Sequence, residues 1–192
     1  LWRRGFWSLI VTQFQGAFSD NALKQLAIFI GISIGLSQIE RDKLGSLATA
    51  LLTLPFILFS MTGGYLANRH SKRTVTIGVK VFEIFIMGLA TAGLATHSLT
   101  LVMSCVFLMG VHSAIFGPSK YGSLPELLPE KRLSWGNGIL ELGTFLAIIL
   151  GMMAGAEFFD LFAGRQAWSG AVLVGLALVG LVFSLGITRV PA

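Results

Sequence analysis

The chain has 192 residues, of which 54% are hydrophobic and only 12% charged, with a mean hydropathy of +0.79. A soluble domain carries about twice that share of charge, so the composition excludes an ordinary soluble protein and favours a membrane one. The net charge of +5 is no nucleic-acid signature, because the basic residues are divided among short loops between apolar runs, as topology signals are.

Six apolar stretches, at about 6–36, 44–67, 74–96, 98–118, 133–159 and 168–188, are each long enough to cross a ~30 Å hydrocarbon slab as a helix. Together they make 1–192 a single six-helix bundle, all-α and membrane-embedded. The first stretch carries the densest polar signal. Gln13, Gly16, Asp20 and Lys24 are spaced three, four and four, and so share one helical face, with Asn21 beside it. Asp20 and Lys24 can pair along the helix. The stripe reads either as a self-neutralising lock between helices or as the wall of a cavity that handles a polar head group or an ion. Ionisable groups at bilayer depth cost several kcal/mol and normally face a cavity or a partner. No segment resembles a cleaved signal peptide.

The second stretch contains Pro55, which predicts a kink. The loop after it reads Gly63-Gly64-Tyr-Leu-Ala-Asn68-Arg69-His70-Ser71-Lys72-Arg73. In the third stretch Lys80 and Glu83 are spaced i, i+3 and compensate each other. The fourth carries a lone Cys105, which excludes an intramolecular disulfide and reads as a small packing residue, and His112, either a packing histidine or a proton carrier. Pro125 and Pro129 predict that 119–132 is not one straight helix. In the fifth, Asn137, Glu141 and Thr144 share a face that Gly151 and Gly155 continue as a contact strip. Glu141 lacks an opposite charge on its own helix, so an interhelical pair with Lys80, Lys24 or Lys120 is expected, either permanent or making and breaking between two conformations.

With the N-terminus placed in the cytoplasm, that side holds Arg3, Arg4, Arg69, Lys72, Arg73, Lys120, Lys131, Arg132 and Arg189. The opposite side holds Arg41, Lys43 and Arg165. The positive-inside rule therefore puts both ends in the cytoplasm. A shift of 92 positions superposes Gly63 on Gly155, Asn68 on Asp160, Arg73 on Arg165 and Asp20 on His112. The shift would relate the first three stretches to the last three in opposite orientations, as in an inverted three-plus-three repeat. The start without Met and the end at Val190-Pro191-Ala192 suggest a piece of a longer protein.

The 63–73 loop resembles the signature between the second and third helices of the major facilitator superfamily, Gly-x-Leu-Ala-Asp-Arg-x-Gly-Arg-Lys. Gly64, Leu66, Ala67, Arg69, Lys72 and Arg73 fit it. Asn68 replaces the acid, which removes an ionic contact while leaving a hydrogen bond available, and Ser71 replaces the second glycine. The segments Gln15-Gly-Ala-Phe-Ser-Asp-Asn-Ala-Leu-Lys24, Phe116-Gly-Pro-Ser-Lys-Tyr-Gly-Ser-Leu-Pro-Glu-Leu-Leu-Pro129 and Asn137-Gly-Ile-Leu-Glu141 are similar to the bacterial lysophospholipid transporter family. The form fused to acyltransferase and acyl carrier protein ligase domains is the nearest.

The resemblance implies the N-terminal half of a twelve-helix carrier in the bacterial inner membrane. Such a carrier moves lysophospholipid from the outer to the inner leaflet by alternating access, for re-acylation. Its partners would be that lipid, the bilayer, the C-terminal six-helix half and a fused or associated acyltransferase and ligase, with no nucleic acid. Asp20, Asn21, Lys80, Lys120 and Glu141 match the family's cavity and gating network. Gln13, Lys24, Glu83, His112 and Asn137 complete the expected pathway, and Gly64, Asn68, Arg69, Lys72 and Arg73 the gating motif. No catalytic residue, metal or cofactor is expected. A drug or metabolite antiporter is the alternative on the same fold, to be separated by the sequence beyond Ala192. A six-helix intramembrane hydrolase is disfavoured, because Asp20 lacks an intramembrane Asp partner and Ser113 is too near His112 in sequence to face it.

Overall fold

In hydrocarbon every backbone polar group must be satisfied within its own segment, so apolar runs of this length fold as helices. The computed structural model describes residues 2–188, Trp2 by its backbone alone; Arg189, counted above with the basic end, and Val190-Pro191-Ala192 lie outside the described residues. The helices are α1 (Trp2–Ser33), α2 (Gln38–Arg69), α3 (Lys72–Ala95), α4 (Leu99–Leu127), α5 (Leu133–Leu161) and α6 (Ala167–Leu185), with one 3-10 turn at Glu130–Arg132. Ser37, Ser71 and Ser98 cap α2, α3 and α4 by accepting from the backbone three residues on, which satisfies an orphan N–H at each start. Gly35 and Gly164 take the left-handed conformation in the turns after α1 and α5, where a side chain would be strained.

Two features differ from expectation. The fourth helix does not stop near 118 but continues through Pro118 and Pro125 to Leu127. Pro118 frees the carbonyl of Ala114, and Gly63 of α2 packs directly on that oxygen: a Cβ at Gly63 would stand 2.8 Å from it. Close packing by a glycine thus covers the gap that proline leaves in the ladder. α2 likewise runs unbroken through the buried Pro55, whose ring seats on Gly110 of α4. The second difference concerns α1. Five helices, α2 to α6, are long and apolar enough to cross a membrane; α1 has the length and not the composition. It has no need of it, because α1 packs against α5, α4, α6 and α2 and turns most of its polar residues inward.

The inverted repeat is visible in the packing. α1 lies against α5 as α4 lies against α2, and α3 contacts α4 as α6 contacts α1. The glycines that permit this obey the same offset. Gly63 sits on the carbonyl of Ala114, and Gly155 sits on the carbonyl of Ala22, where a Cβ would approach to 2.6 Å. Each partner of one contact is displaced by 92 positions from its counterpart in the other, with the roles exchanged. Gly151 packs on the backbone of Phe18, so the Gly-xxx-Gly strip of α5 is a helix contact, as read from the sequence.

Alternation of direction brings both ends of the described chain to one end of the bundle, where Gly5 of α1 touches Thr188. The two hydrophobic cores divide along the same axis. One, around Leu23, Leu26, Ile86, Met87, Val106 and Met109, fills the half near the 96–98 turn. The other, around Phe6, Leu9, Phe116, Leu124 and Leu140, fills the half near the chain ends. The polar residues of α1 lie between the two.

Candidate functional site

A cavity of about 340 Å³ opens between α1, α2, α4 and α5. Gln13, Gly16, Asp20 and Asn21 line it from α1; His112, Ser113, Lys120 and Tyr121 from α4; Thr144 from α5. Apolar residues share the lining: Leu52 and Phe56 of α2, Phe116 of α4 and Ile148 of α5. The face read from the α1 spacing is therefore a cavity wall, with one exception. Lys24 is half-buried and not part of the lining.

The expected Asp20–Lys24 pair does not form. Asp20 Oδ2 instead accepts from Ser113 Oγ at 2.5 Å. Oδ1 is buried and without a hydrogen-bond partner among the described residues. Helical spacing allows an i, i+4 pair, but the packing of α1 on α4 offers a nearer donor. Asn21 Nδ2 donates back to the carbonyl of Ala17, leaving its oxygen available.

Behind Gly16 lies a fully buried ion cluster. Lys80 Nζ is 2.6 Å from Glu83 Oε2 and 2.7 Å from Gln15 Oε1, and Gln15 Nε2 donates to Glu83 Oε1 at 2.7 Å. His112 Nε2 stands 3.3 Å from the same Glu83 Oε2. Lys80, Glu83 and His112 have no solvent exposure. The i, i+3 pair read from the sequence is thus present, and Lys80 is fully committed within it, not pairing with Glu141. Gln15 was missed as a site residue because it is neutral and falls one position off the stripe. Its signal was chemical: a membrane-buried amide must find partners. Gly180 of α6 makes room for it, since a Cβ there would collide with the Gln15 amide.

Glu141 also departs from expectation. Among the described residues it makes no salt bridge, and it accepts from Tyr121 O–H at 2.7 Å. Lys120 lies over the Tyr121 ring, 4.6 Å from its centre. It belongs to α4 and lines the cavity, so it is not the loop residue of the charge count. Gln13 Oε1 accepts from Thr144 Oγ1 at 2.9 Å, joining α1 to α5 across the cavity. Asn137 is exposed and outside the cavity. Ser113 does approach His112, with Oγ 3.4 Å from Nδ1, contrary to the expectation that adjacency keeps them apart; that hydroxyl donates to Asp20.

At the basic end, the 63–73 segment divides into two parts. Lys72 pairs with Glu126 of α4, and Arg73 Nη2 donates to the Leu185 carbonyl at 2.9 Å, so α3, α4 and α6 are tied together. Arg73 also satisfies an orphan carbonyl at the end of α6. Gly64 faces open space. Asn68 is exposed and makes no hydrogen bond among the described residues, while Arg69 bonds to Tyr65 O–H on the same helix. The hydrogen bond expected to survive at Asn68 is not formed within this bundle.

A six-helix bundle of two inverted halves, with charged residues gathered around a central cavity, fits one half of a twelve-helix membrane protein. The family model of the Major Facilitator Superfamily matches residues 7–192, and the chain belongs to that superfamily as a multi-pass membrane protein. It is 32% identical over 189 residues to proteins named Lysophospholipid transporter LplT from Salmonella newport and Salmonella typhimurium, covering 95% of this chain and 44% of each relative. The protein of that name from Salmonella arizonae is 32% identical over 186 residues. The chain therefore spans less than half the length of the curated relatives it matches.

Proposed function

We propose that the full-length protein carries lysophospholipid, of the lysophosphatidylethanolamine kind, from the outer to the inner leaflet of a bacterial inner membrane by alternating access. The observation that carries this reading is the mixed lining of the cavity. Lys120, Asp20 and the amide of Gln13 share it with Leu52, Phe56, Phe116 and Ile148. An amphiphile needs both kinds of surface. Lys120 would take the phosphate by a charge-assisted bond, and the Asp20 carboxylate would take an ammonium. Lys80, satisfied within its own cluster, has no such role. The relatives' name agrees with this cargo.

In this reading the missing partner is a second six-helix half, closing the cavity over the exposed apolar faces of α2 and α5. Those faces include Ile57, Met61, Phe145 and Ile149. Gly64, facing open space, and the exposed Asn68 and Arg69 would meet that half in one conformation and release it in the other. Both chain ends would be cytoplasmic, and a fused or associated acyltransferase and ligase would consume the delivered lipid.

The test is uptake of labelled lysophosphatidylethanolamine by spheroplasts expressing the full-length protein. Accumulation of re-acylated lipid above a control lacking the protein is expected. A protein that moves another solute and none of this lipid would overturn the assignment.

A further inference from the structure

A bilayer sets this cavity a selection problem that charge cannot solve. Two-chain phospholipids carry the same phosphate and ammonium as the lysophospholipid, so Lys120 and Asp20 attract both alike. Specificity is a difference of affinities and needs a group that treats the two unequally. On the polar side of the molecule they differ at one place. Where the lysolipid has a free glycerol hydroxyl, able to donate, the two-chain lipid has an ester oxygen that can only accept.

The neutral polar side chains lining the cavity are Gln13, Asn21, Thr53, Ser113, Tyr121 and Thr144. Five of them are engaged within the protein. Gln13 accepts from Thr144 at 2.9 Å, and its Nε2 reaches the Leu140 carbonyl at 3.4 Å. Ser113 donates to Asp20, Tyr121 to Glu141, and Thr53 back to the Thr49 carbonyl at 2.8 Å. Asn21 differs. Its Nδ2 donates to the Ala17 carbonyl at 2.9 Å, while its Oδ1 has no partner among the described residues. That bond also fixes which way the amide faces, because a flip would set Oδ1 against the carbonyl oxygen. The residue is only 7% exposed, so its surroundings hold the amide in place. Unlike the buried Oδ1 of Asp20, the Asn21 oxygen is not shut away from the cavity.

We propose that Asn21 selects lysophospholipid over two-chain phospholipid, its Oδ1 accepting the free glycerol hydroxyl. This rests on the cargo reading above and names the feature of the cargo that the cavity reads. A lysolipid filling the cavity replaces the hydration of Oδ1 with a hydrogen bond. A two-chain lipid brings an acceptor to an acceptor, and leaving a desolvated group unpaired is costly. For that reason a site built to bond a hydroxyl rejects a ligand lacking it far more strongly than an apolar pocket rejects an extra methylene. Asn21 adjoins Asp20 on α1, so the hydroxyl is read beside the head-group contact. The ammonium is the other donor on the cargo, and the test separates the two.

The experiment reconstitutes the full-length protein in proteoliposomes and compares initial transfer rates of two labelled lipids. One is lysophosphatidylethanolamine; the other is its deoxy analogue, in which hydrogen replaces the glycerol hydroxyl and the ammonium is kept. Wild type should move the first about tenfold faster or more. Asn21→Leu, similar in volume and without an acceptor, should bring the ratio close to one by slowing the lysolipid. Asn21→Ala serves if the leucine variant does not fold. A ratio kept in the folded variant, with both lipids slowed alike, would mean a merely structural residue and overturn the assignment. Equal rates in wild type, the result expected if Asn21 took the ammonium, would overturn it as well and leave the cargo reading standing. Wild type that moves another solute and neither lipid would overturn the cargo reading, and this assignment with it.

Discussion

At Lys80 and Glu83 two full charges sit without any contact with solvent, and their persistence depends on mutual pairing plus the Gln15 amide. Breaking such a pair by removing one partner costs about 3–5 kcal/mol, because the other charge is left unmatched, whereas replacing both by apolar groups is close to neutral. Lys80→Met should therefore lower the thermal unfolding midpoint of the full-length protein in detergent strongly, and Lys80→Met with Glu83→Leu should recover most of the loss. A double variant as unstable as the single one would show that the cluster is not an ion pair in its energetics. The pair was legible from an i, i+3 spacing, which lies within one helix. Asp20 was legible as a buried acid, but its partner was not. Ser113 is 93 positions away, and nothing in a local spacing tells how α1 turns against α4. The same limit hid the Glu141–Tyr121 bond, since an acid in lipid asks for a donor without requiring a cation.

Glycine placement decides how the helices approach. Gly63 and Gly155 each lie against a backbone carbonyl, where a methyl group would stand 2.8 and 2.6 Å from the oxygen. Overpacking of this sort costs about 1–3 kcal/mol. Gly63→Ala and Gly155→Ala should each lower the unfolding midpoint, and by similar amounts, because the two contacts are counterparts in the inverted repeat. Gly64→Ala meets nothing within 4 Å and gains helix propensity of about 1 kcal/mol. It should leave unfolding unchanged or raised, yet slow transport if the second half packs there. Equal destabilisation by Gly63→Ala and Gly64→Ala would contradict the packing described. Helix existence and order were legible from apolar run length. The extent of α4 was not, because Pro125 and Pro129 read locally as breakers, and the fit of Gly63 onto the Ala114 carbonyl at Pro118 is a contact between helices. The polar face of α1 was legible for the opposite reason: it obeys a helical period.

For the molecule as a whole, the arrangement of α2 and α5 matters most. They expose Ile57, Met61, Phe145, Ile149 and Met153 beside a cavity whose polar wall is already built. The proposed topology, with both ends cytoplasmic, rests on the basic residues at one end. In a full-length protein lacking other reactive cysteines, His70→Cys should label only from the cytoplasmic side and His97→Cys only from the outside. The native Cys105, fully buried, should stay unlabelled; reversed accessibility would invert the proposed direction of transport. The carrier reading itself is tested most directly by flux. Full-length protein reconstituted in proteoliposomes should move labelled lysophosphatidylethanolamine between leaflets. Lys120→Gln and Asp20→Asn, each removing a charge-assisted contact from the cavity wall, should slow that movement about tenfold or more while the protein remains folded. Wild-type rates in both folded variants would contradict a cargo head group held in this cavity.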